Sequence, residues 1–123
     1  MKQDKKLFLI VEDFEDSRFM MRKLLEMAGY RVLEATDGEQ AVKLAVQKRP
    51  ALILMDLSLP RMDGLSATRR IRRRKRFAKL PIVAVSAYDS PESRKEALAA
   101  GCDEYLAKPI DFDQLNLVVN RFL

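Results

Sequence analysis

Few of the 123 residues are of a type and position suited to chemistry. They are an acidic pair, Glu12 and Asp13, a distant acid, Asp56, then Ser86 and Lys108. Each lies at or just after the end of a short apolar run. If those runs end at one place, three carboxylates converge there. Two unit charges about 5 Å apart at an effective dielectric of about 20 repel by about 3 kcal/mol. Such a cluster needs a cation or a proton. Ligation by oxygen alone, with few carboxylates, suits Mg²⁺, which keeps several of its waters. An ionised aspartate is a nucleophile that needs no base, a lysine is a fixed positive charge, and a serine is a hydroxyl donor. Together these parts suit phosphoryl transfer, which depends on positioning and charge neutralisation. Taken singly, each has an ordinary role: an acid caps a helix, a serine shapes a turn, a lysine sits in solvent. The argument rests on their convergence. The chain has no histidine. That excludes a histidine base, a histidine zinc ligand and a phosphohistidine on this chain, so any phosphate comes from another molecule.

The elements that must position these residues are legible as apolar runs. Residues 7–11, 32–35, 51–55, 82–85 and 105–107 read as strands, the last with the weakest signal. The first, third and fourth are continuous rather than alternating, as strands covered on both faces are. Helical patterns lie between them. Phe19, Met20, Leu24, Leu25 and Met27 repeat at helical spacing, and Gly29 ends that segment. Ala41, Leu44 and Ala45 share a face of the second helix before Pro50, with Val42 and Val46 beside them. Leu65, Thr68, Ile71 and Arg72 continue the third. Residues 92–100 make the fourth, with Ser90 as N-cap, Pro91 at the first position and Gly101 at the end. Residues 111–122 make the fifth, with Leu115, Val118, Val119 and Phe122 on one face. Alternating strands and helices imply an α/β fold: a doubly wound five-stranded parallel sheet with five flanking helices. Right-handed crossovers leave few strand orders, of which 2-1-3-4-5 is favoured. In such a sheet ligands bind beyond the carboxyl ends of the strands, where the order reverses. That point lies between the first and third strands, which end at Glu12–Asp13 and at Asp56.

Bulk composition bounds the reading. The length suits one domain over residues 1–123, with no linker, repeat or output domain expected after the fifth helix. A hydrophobic content of 48% and a charged content of 33% are globular rather than disordered. The single cysteine, Cys102, excludes an internal disulfide and fits a reducing compartment. No apolar run approaches the ~20 residues of a membrane span. A cytoplasmic location, without membrane association, is the expectation.

The segments Val11-Glu12-Asp13, Asp56 with the following Pro60-Arg61-Met62-Asp63-Gly64, Ser86-Ala87 and Lys108-Pro109 together resemble the receiver domains of bacterial two-component response regulators. The likeness covers nearly the whole chain, in order and with similar spacing, and implies a single-domain, chemotaxis-regulator-like member. It implies a flavodoxin-like fold in which Asp56 is the phosphoacceptor. Asp13 would bind Mg²⁺ directly, with Glu12 acting directly or through water, and Asp56 and the backbone carbonyl of Ser58 would complete the protein's ligands. Lys108 would pair with Asp56 or with phosphoryl oxygens, and Ser86 would donate a hydrogen bond to one of them. Ala87 and Pro109 would support these groups, Pro109 through a cis peptide after Lys108. Tyr105 matches the family's switch aromatic; otherwise it is a half-buried strand aromatic. Pro60 and Gly64 shape a turn, and Met62 packs.

The resemblance also implies partners. A histidine kinase or histidine phosphotransfer protein would donate the phosphoryl group, and a downstream protein would read the surface around the fourth helix, fifth strand and fifth helix. The chain would be a monomer or a phosphorylation-dependent dimer. It would be a signalling domain rather than an enzyme, limited to self-phosphorylation from small donors and autodephosphorylation. A receiver-like adaptor indifferent to phosphate is one alternative. A phosphatase with an aspartyl nucleophile is another, but Ser58 stands where its second acid would be needed. Tyr88, two residues after Ser86, either shields the phosphate from water or faces outward. The net charge of +5 is local. Within residues 69–76 every residue except Ile71 is Arg or Lys, and without that run the chain would be acidic. On a helix Arg69, Arg72, Arg73 and Arg76 would share one side. The run reads as a solvated helix end and loop, or as a surface for an acidic protein partner or for the phosphate backbone of nucleic acid. Nothing resembles a base-reading motif and no aromatics interleave the run, so nucleic acid is not an expected partner.

Overall fold

The computed structural model describes residues 5–59 and 61–123; the turn role expected of Pro60 lies outside them. The strands are β1 (Leu7–Val11), β2 (Arg31–Ala35), β3 (Leu52–Asp56), β4 (Ile82–Ser86) and β5 (Glu104–Ala107). The helices are α1 (Glu15–Met27), α2 (Gly38–Lys48), α3 (Gly64–Arg72), α4 (Pro91–Ala100) and α5 (Phe112–Phe122), with a 3₁₀ turn at Lys75–Phe77. All strand pairs are parallel, in the order β2-β1-β3-β4-β5. Fold class, strand order and helix count therefore agree with the expectation.

The period of two along each strand divides the core. Leu9, Val11, Ile53, Met55, Ile82, Ala84 and Tyr105 face one side, where α2, α3 and α4 bury Ala41, Ala45, Ala67, Ile71 and Ala97. Phe8, Ile10, Leu52, Leu54, Val83, Val85 and Leu106 face the other, against Met21 and Leu25 of α1 and Leu115, Val118 and Val119 of α5. With both faces covered, β3 and β4 are buried at every position, which explains their unbroken apolar sequence. Cys102 is buried with its thiol near Thr68, and burial raises its pKa.

Capping fixes where the helices start. The side chains of Asp37, Asp63, Ser90 and Asp111 each accept a backbone N–H in the first turn of α2, α3, α4 and α5. Gly29 and Gly101 follow α1 and α4 with positive φ, as the sequence suggested. The apolar face expected of α1 is only partly right. Met21 and Leu25 face the core, while Phe19, Met20 and Met27 are exposed. Apolar residues lie all round this helix, so spacing alone could not select the buried stripe.

The basic run also differs from a single helical face. The helix ends at Arg72, and Arg76 lies in the 3₁₀ turn. Arg72 is not a solvated cation. Its guanidinium donates to the carbonyls of Gly101 (2.9 Å) and Phe77 (2.6 Å) and to Asp103 (2.8 Å). It thereby ties the end of α3 to the turn before β5, while Asp103 also accepts the N–H of Ile82. Arg72→Ala is expected to cost about 1.5–3 kcal/mol, the range for hydrogen bonds to a charged group. Arg73→Ala, at an exposed position, should stay within about 0.5 kcal/mol. Urea denaturation of the two variants checks the difference, and equal midpoints would refute the structural role of Arg72.

Candidate functional site

The sheet brings the predicted residues to one edge through its hydrogen-bond ladder. Glu12 N–H donates to Ala35 O (3.0 Å), Leu57 N–H to Val85 O (3.0 Å) and Lys108 N–H to Ser86 O (2.8 Å). Each bond lies where a strand gives way to its loop, so residue positions in the mouth follow from strand register. In that register Val11 is level with Met55, Asp56 with Val85 and Ser86 with Ala107.

Glu12 and Asp56 are almost fully buried, at 0% and 3% exposure, while Asp13 is exposed. One carboxylate oxygen from each of the three lies within 4.8 Å of the others. Lys108 Nζ enters the cluster from the loop after β5, 2.5 Å from Glu12 Oε1 and 3.2 Å from Asp56 Oδ2. Burial, then the hydrogen bond and charge of Asp56, push the Glu12 carboxyl above its usual pKa; the Lys108 bond opposes this without cancelling it. For Lys108, burial works against the ammonium, but the Glu12 bond and the charges of Asp56 and Glu12 outweigh it and raise the pKa. One ammonium faces three carboxylates, so the mouth has room in charge for a divalent cation. An all-oxygen, partly open donor set is the kind Mg²⁺ occupies. Ser58 is exposed, and its N–H donates to Asp56 Oδ1 (3.0 Å).

The neighbouring loops are built around close backbone approaches. A Cβ on Gly64 would stand 2.2 Å from Asp56 O, so the chain after Asp56 can fold back only onto a glycine. A Cβ on Gly38 would stand 2.1 Å from Met62 O. The start of α2 therefore packs against the loop after β3. Arg61, with a left-handed φ of 63°, bonds the buried Asp37 across the same seam (2.9 Å). The sequence reading did not single out Gly38 or the Asp37–Arg61 pair. Asp37 with Gln40 three residues on was the available signal, since Gln40 returns a bond to Thr36 N–H (2.7 Å).

Ser86 is buried, and its Oγ accepts the N–H of Tyr88 (3.1 Å), leaving its own O–H to donate. Tyr105 is buried rather than half-buried, because β5 points it at the face covered by α4; its hydroxyl donates to the carbonyl of Tyr88. Arg94 stacks over the Tyr105 ring (4.9 Å). The Tyr88 side chain is 67% exposed, so it faces outward rather than over Asp56. Ala87 is exposed beside Ser86. Pro109 follows Lys108 through a cis peptide bond.

The model for the response regulator receiver domain matches residues 8–120. The polar-differentiation response regulator DivK of Brucella anthropi is 32% identical over 96% of both chains. Other curated relatives are longer: the chain spans 48% of one and 24% of another. The receiver domain of sensor histidine kinase PA1611 from Pseudomonas aeruginosa, solved with a magnesium ion coordinated in its active-site cleft, superposes with a TM-score of 0.90. It is 38% identical, over 97% of this chain and 98% of that one. The chemotaxis protein CheY4 of Vibrio cholerae gives a TM-score of 0.91 at 30% identity, over 98% and 100% of the two chains.

The charge balance of the mouth predicts its response to Mg²⁺. Asp13→Asn and Asp56→Asn should each weaken binding by roughly tenfold, whereas Lys108→Met should tighten it by removing a competing cation. Calorimetric titration measures all three. Unchanged binding in both acid variants would mean that the metal binds elsewhere.

Proposed function

The chain belongs to the response regulator receiver domain family, and from that premise we propose that Asp56 accepts a phosphoryl group from the phosphohistidine of a kinase or phosphotransfer protein. The observation that carries this reading is the nearly buried Asp56 carboxylate, with Lys108 Nζ at 3.2 Å and the oxygens of Glu12 and Asp13 alongside. An Asp56 oxygen attacks phosphorus, the P–N bond to the donor imidazole breaks, and the imidazole leaves with the bond's electron pair. Lys108 offsets the charge on the oxygens in flight. A magnesium ion held by Glu12, Asp13, Asp56 and the Ser58 carbonyl would supply the rest of that neutralisation. Hydrolysis of the acyl phosphate by water restores Asp56. The same chemistry supports labelling from a small donor such as acetyl phosphate.

The signal then passes through the loop after β4. A phosphoryl group on Asp56 brings about two negative charges where one stood. The Ser86 hydroxyl is the neutral donor at the neighbouring strand end. Its bond draws on the loop whose next residues, through Tyr88, hold Tyr105. The phosphorylated and free forms are two populations of one molecule, biased by a bond available only after transfer. A change in the surface of α4, β5 and α5 would be the output to a downstream protein.

Acetyl phosphate with Mg²⁺ should label the parent at Asp56 and leave Asp56→Asn unlabelled; labelling of Asp56→Asn to the parent level would refute the assignment. Ser86→Ala should still accept phosphate, because Asp56, Asp13 and Lys108 remain. It should populate the switched state at least tenfold less, the equivalent of a charged hydrogen bond worth about 1.5–3 kcal/mol. NMR spectra of both phosphorylated proteins test this. Equal shift changes across α4, Tyr105 and α5 would sink the coupling.

A further inference from the structure

The proposed phosphoryl chemistry makes no use of the basic run. In the structure the run lies at the end of the domain opposite Asp56, where α3 finishes and the chain turns towards β4. The two ends are separated by the length of a strand, roughly 15 Å. Cations distant in sequence meet there. Arg49, at the end of α2, lines one cleft of about 330 Å³ with Arg76 and Lys79, and no acid is in its walls. Of the seven cations in residues 69–76 only Arg72 is taken up by the fold. The remaining cations are exposed, and none is paired with a carboxylate among the described residues. Arg49 itself holds a left-handed backbone, with φ 48°, at a helix end where glycine is the least strained residue. An arginine there keeps a strained conformation while its side chain joins the cationic cleft.

We propose that this end of the domain docks on the phosphate backbone of double-stranded DNA without reading bases. The composition of the surface selects that occupant. Among the described residues, the large exposed hydrophobic side chains all lie elsewhere: none falls between residues 69 and 81 or at residues 48–51. A protein interface would set aromatic or apolar anchors beside its arginines, and a helix lying in a membrane surface would carry an apolar face. Single strands stack on exposed aromatics, but Phe77 is buried, with Arg76 stacked over its ring (4.9 Å). Duplex RNA is distinguished through its 2′-hydroxyls, and residues 69–79 include no Ser, Thr, Asn or Gln to meet them. Arginine forks in an acid-free cleft match phosphate oxygens, and duplex DNA presents about one charge per 1.7 Å. The missing base-reading motif, which spoke against nucleic acid in the sequence, excludes base recognition but not contact of this kind.

The test uses the full chain and a fluorescein-labelled DNA duplex of arbitrary sequence, read by fluorescence anisotropy. Affinity should fall roughly a hundredfold between about 50 and 200 mM salt, as expected for a few phosphate contacts, and should not change when the sequence is scrambled. The variant Arg49→Glu/Arg76→Glu/Lys79→Glu should bind at least tenfold more weakly, with a flatter salt dependence. Its acetyl-phosphate labelling should match the parent, since the mouth is untouched, and its thermal midpoint should fall by no more than about 5 °C, from loss of the Arg76 stack on Phe77. Should that variant fail to fold, Arg73→Gln/Lys75→Gln/Arg76→Gln gives the same comparison without charge reversal. Equal DNA affinity in parent and folded variant would overturn the proposal. So would tighter binding of a polyglutamate peptide, phosphatidylglycerol vesicles, single-stranded DNA or duplex RNA. Labelling of Asp56 is read separately, so failure of DNA binding leaves the phosphoacceptor reading standing.

Discussion

The constraint on which the structure turns is electrostatic: three carboxylates share one mouth with a single lysine. With oxygens within 4.8 Å of one another, each pair of ionised acids would repel by about 3 kcal/mol at an effective dielectric of about 20. Nothing local to residues 12, 13 and 56 would hold such an arrangement. It is imposed by β1 and β3, hydrogen-bonded neighbours whose side chains from Phe8 to Val11 and Leu52 to Met55 are all at 0% exposure. Fully burying one such side chain contributes about 1.5–3 kcal/mol, so the strands together outweigh the repulsion they create. The lysine arrives by the same means, on the loop after β5, two strands away from β3 in the sheet.

Charge is partly sorted between the two ends of the domain, with Arg61 at the mouth and Asp103 at the far end as exceptions. The mouth end gathers the acids of the site and the aspartates that cap α2, α3 and α5. The opposite end gathers Lys48, Arg49, the exposed cations of the basic run and Lys79. In a doubly wound fold every helix begins at the mouth and ends at the far edge. Acids at helix starts and bases at helix ends also complement the helix dipoles. That common effect accounts for Lys48. It does not account for the cations beyond the end of α3, which lie in the 3₁₀ turn and the approach to β4. The acidic mouth at one end and the cation density at the other are thus physically independent features of one fold.

Most of this was legible in the sequence for identifiable reasons. Strands covered on both faces write themselves as continuous apolar runs, and their ends point at Glu12, Asp56, Ser86 and Lys108. The caps of α4 were visible because Ser90, Pro91 and Gly101 each act locally. What escaped the sequence depends on contacts between distant segments. Met21 rather than Met20 faces the core because of where β1 and α5 stand. Arg72 looks like any other member of a basic run until Gly101, Phe77 and Asp103 surround it. The need for glycine at position 38 comes from Met62, in a different loop.

The link between site and surface follows the same division between backbone and side chain. Tyr88 connects Ser86 to Tyr105, but it does so with its own N–H and carbonyl. Its side chain points to solvent and takes no part in either bond. Any residue whose backbone adopts this turn would preserve the connection, so the side chain at 88 is free to serve the outer surface. Ser86 and Tyr105, by contrast, contribute hydroxyls, and neither can be replaced by a residue of similar shape without one. Arg94 sits between these two classes. It stacks on Tyr105 and pairs with Asp89 (2.9 Å), yet both charged side chains are about half exposed. Such a pair contributes roughly 0–1 kcal/mol, enough to bias the position of Tyr105 and too little to fix it. The ring is therefore held chiefly by burial and by its single hydroxyl bond.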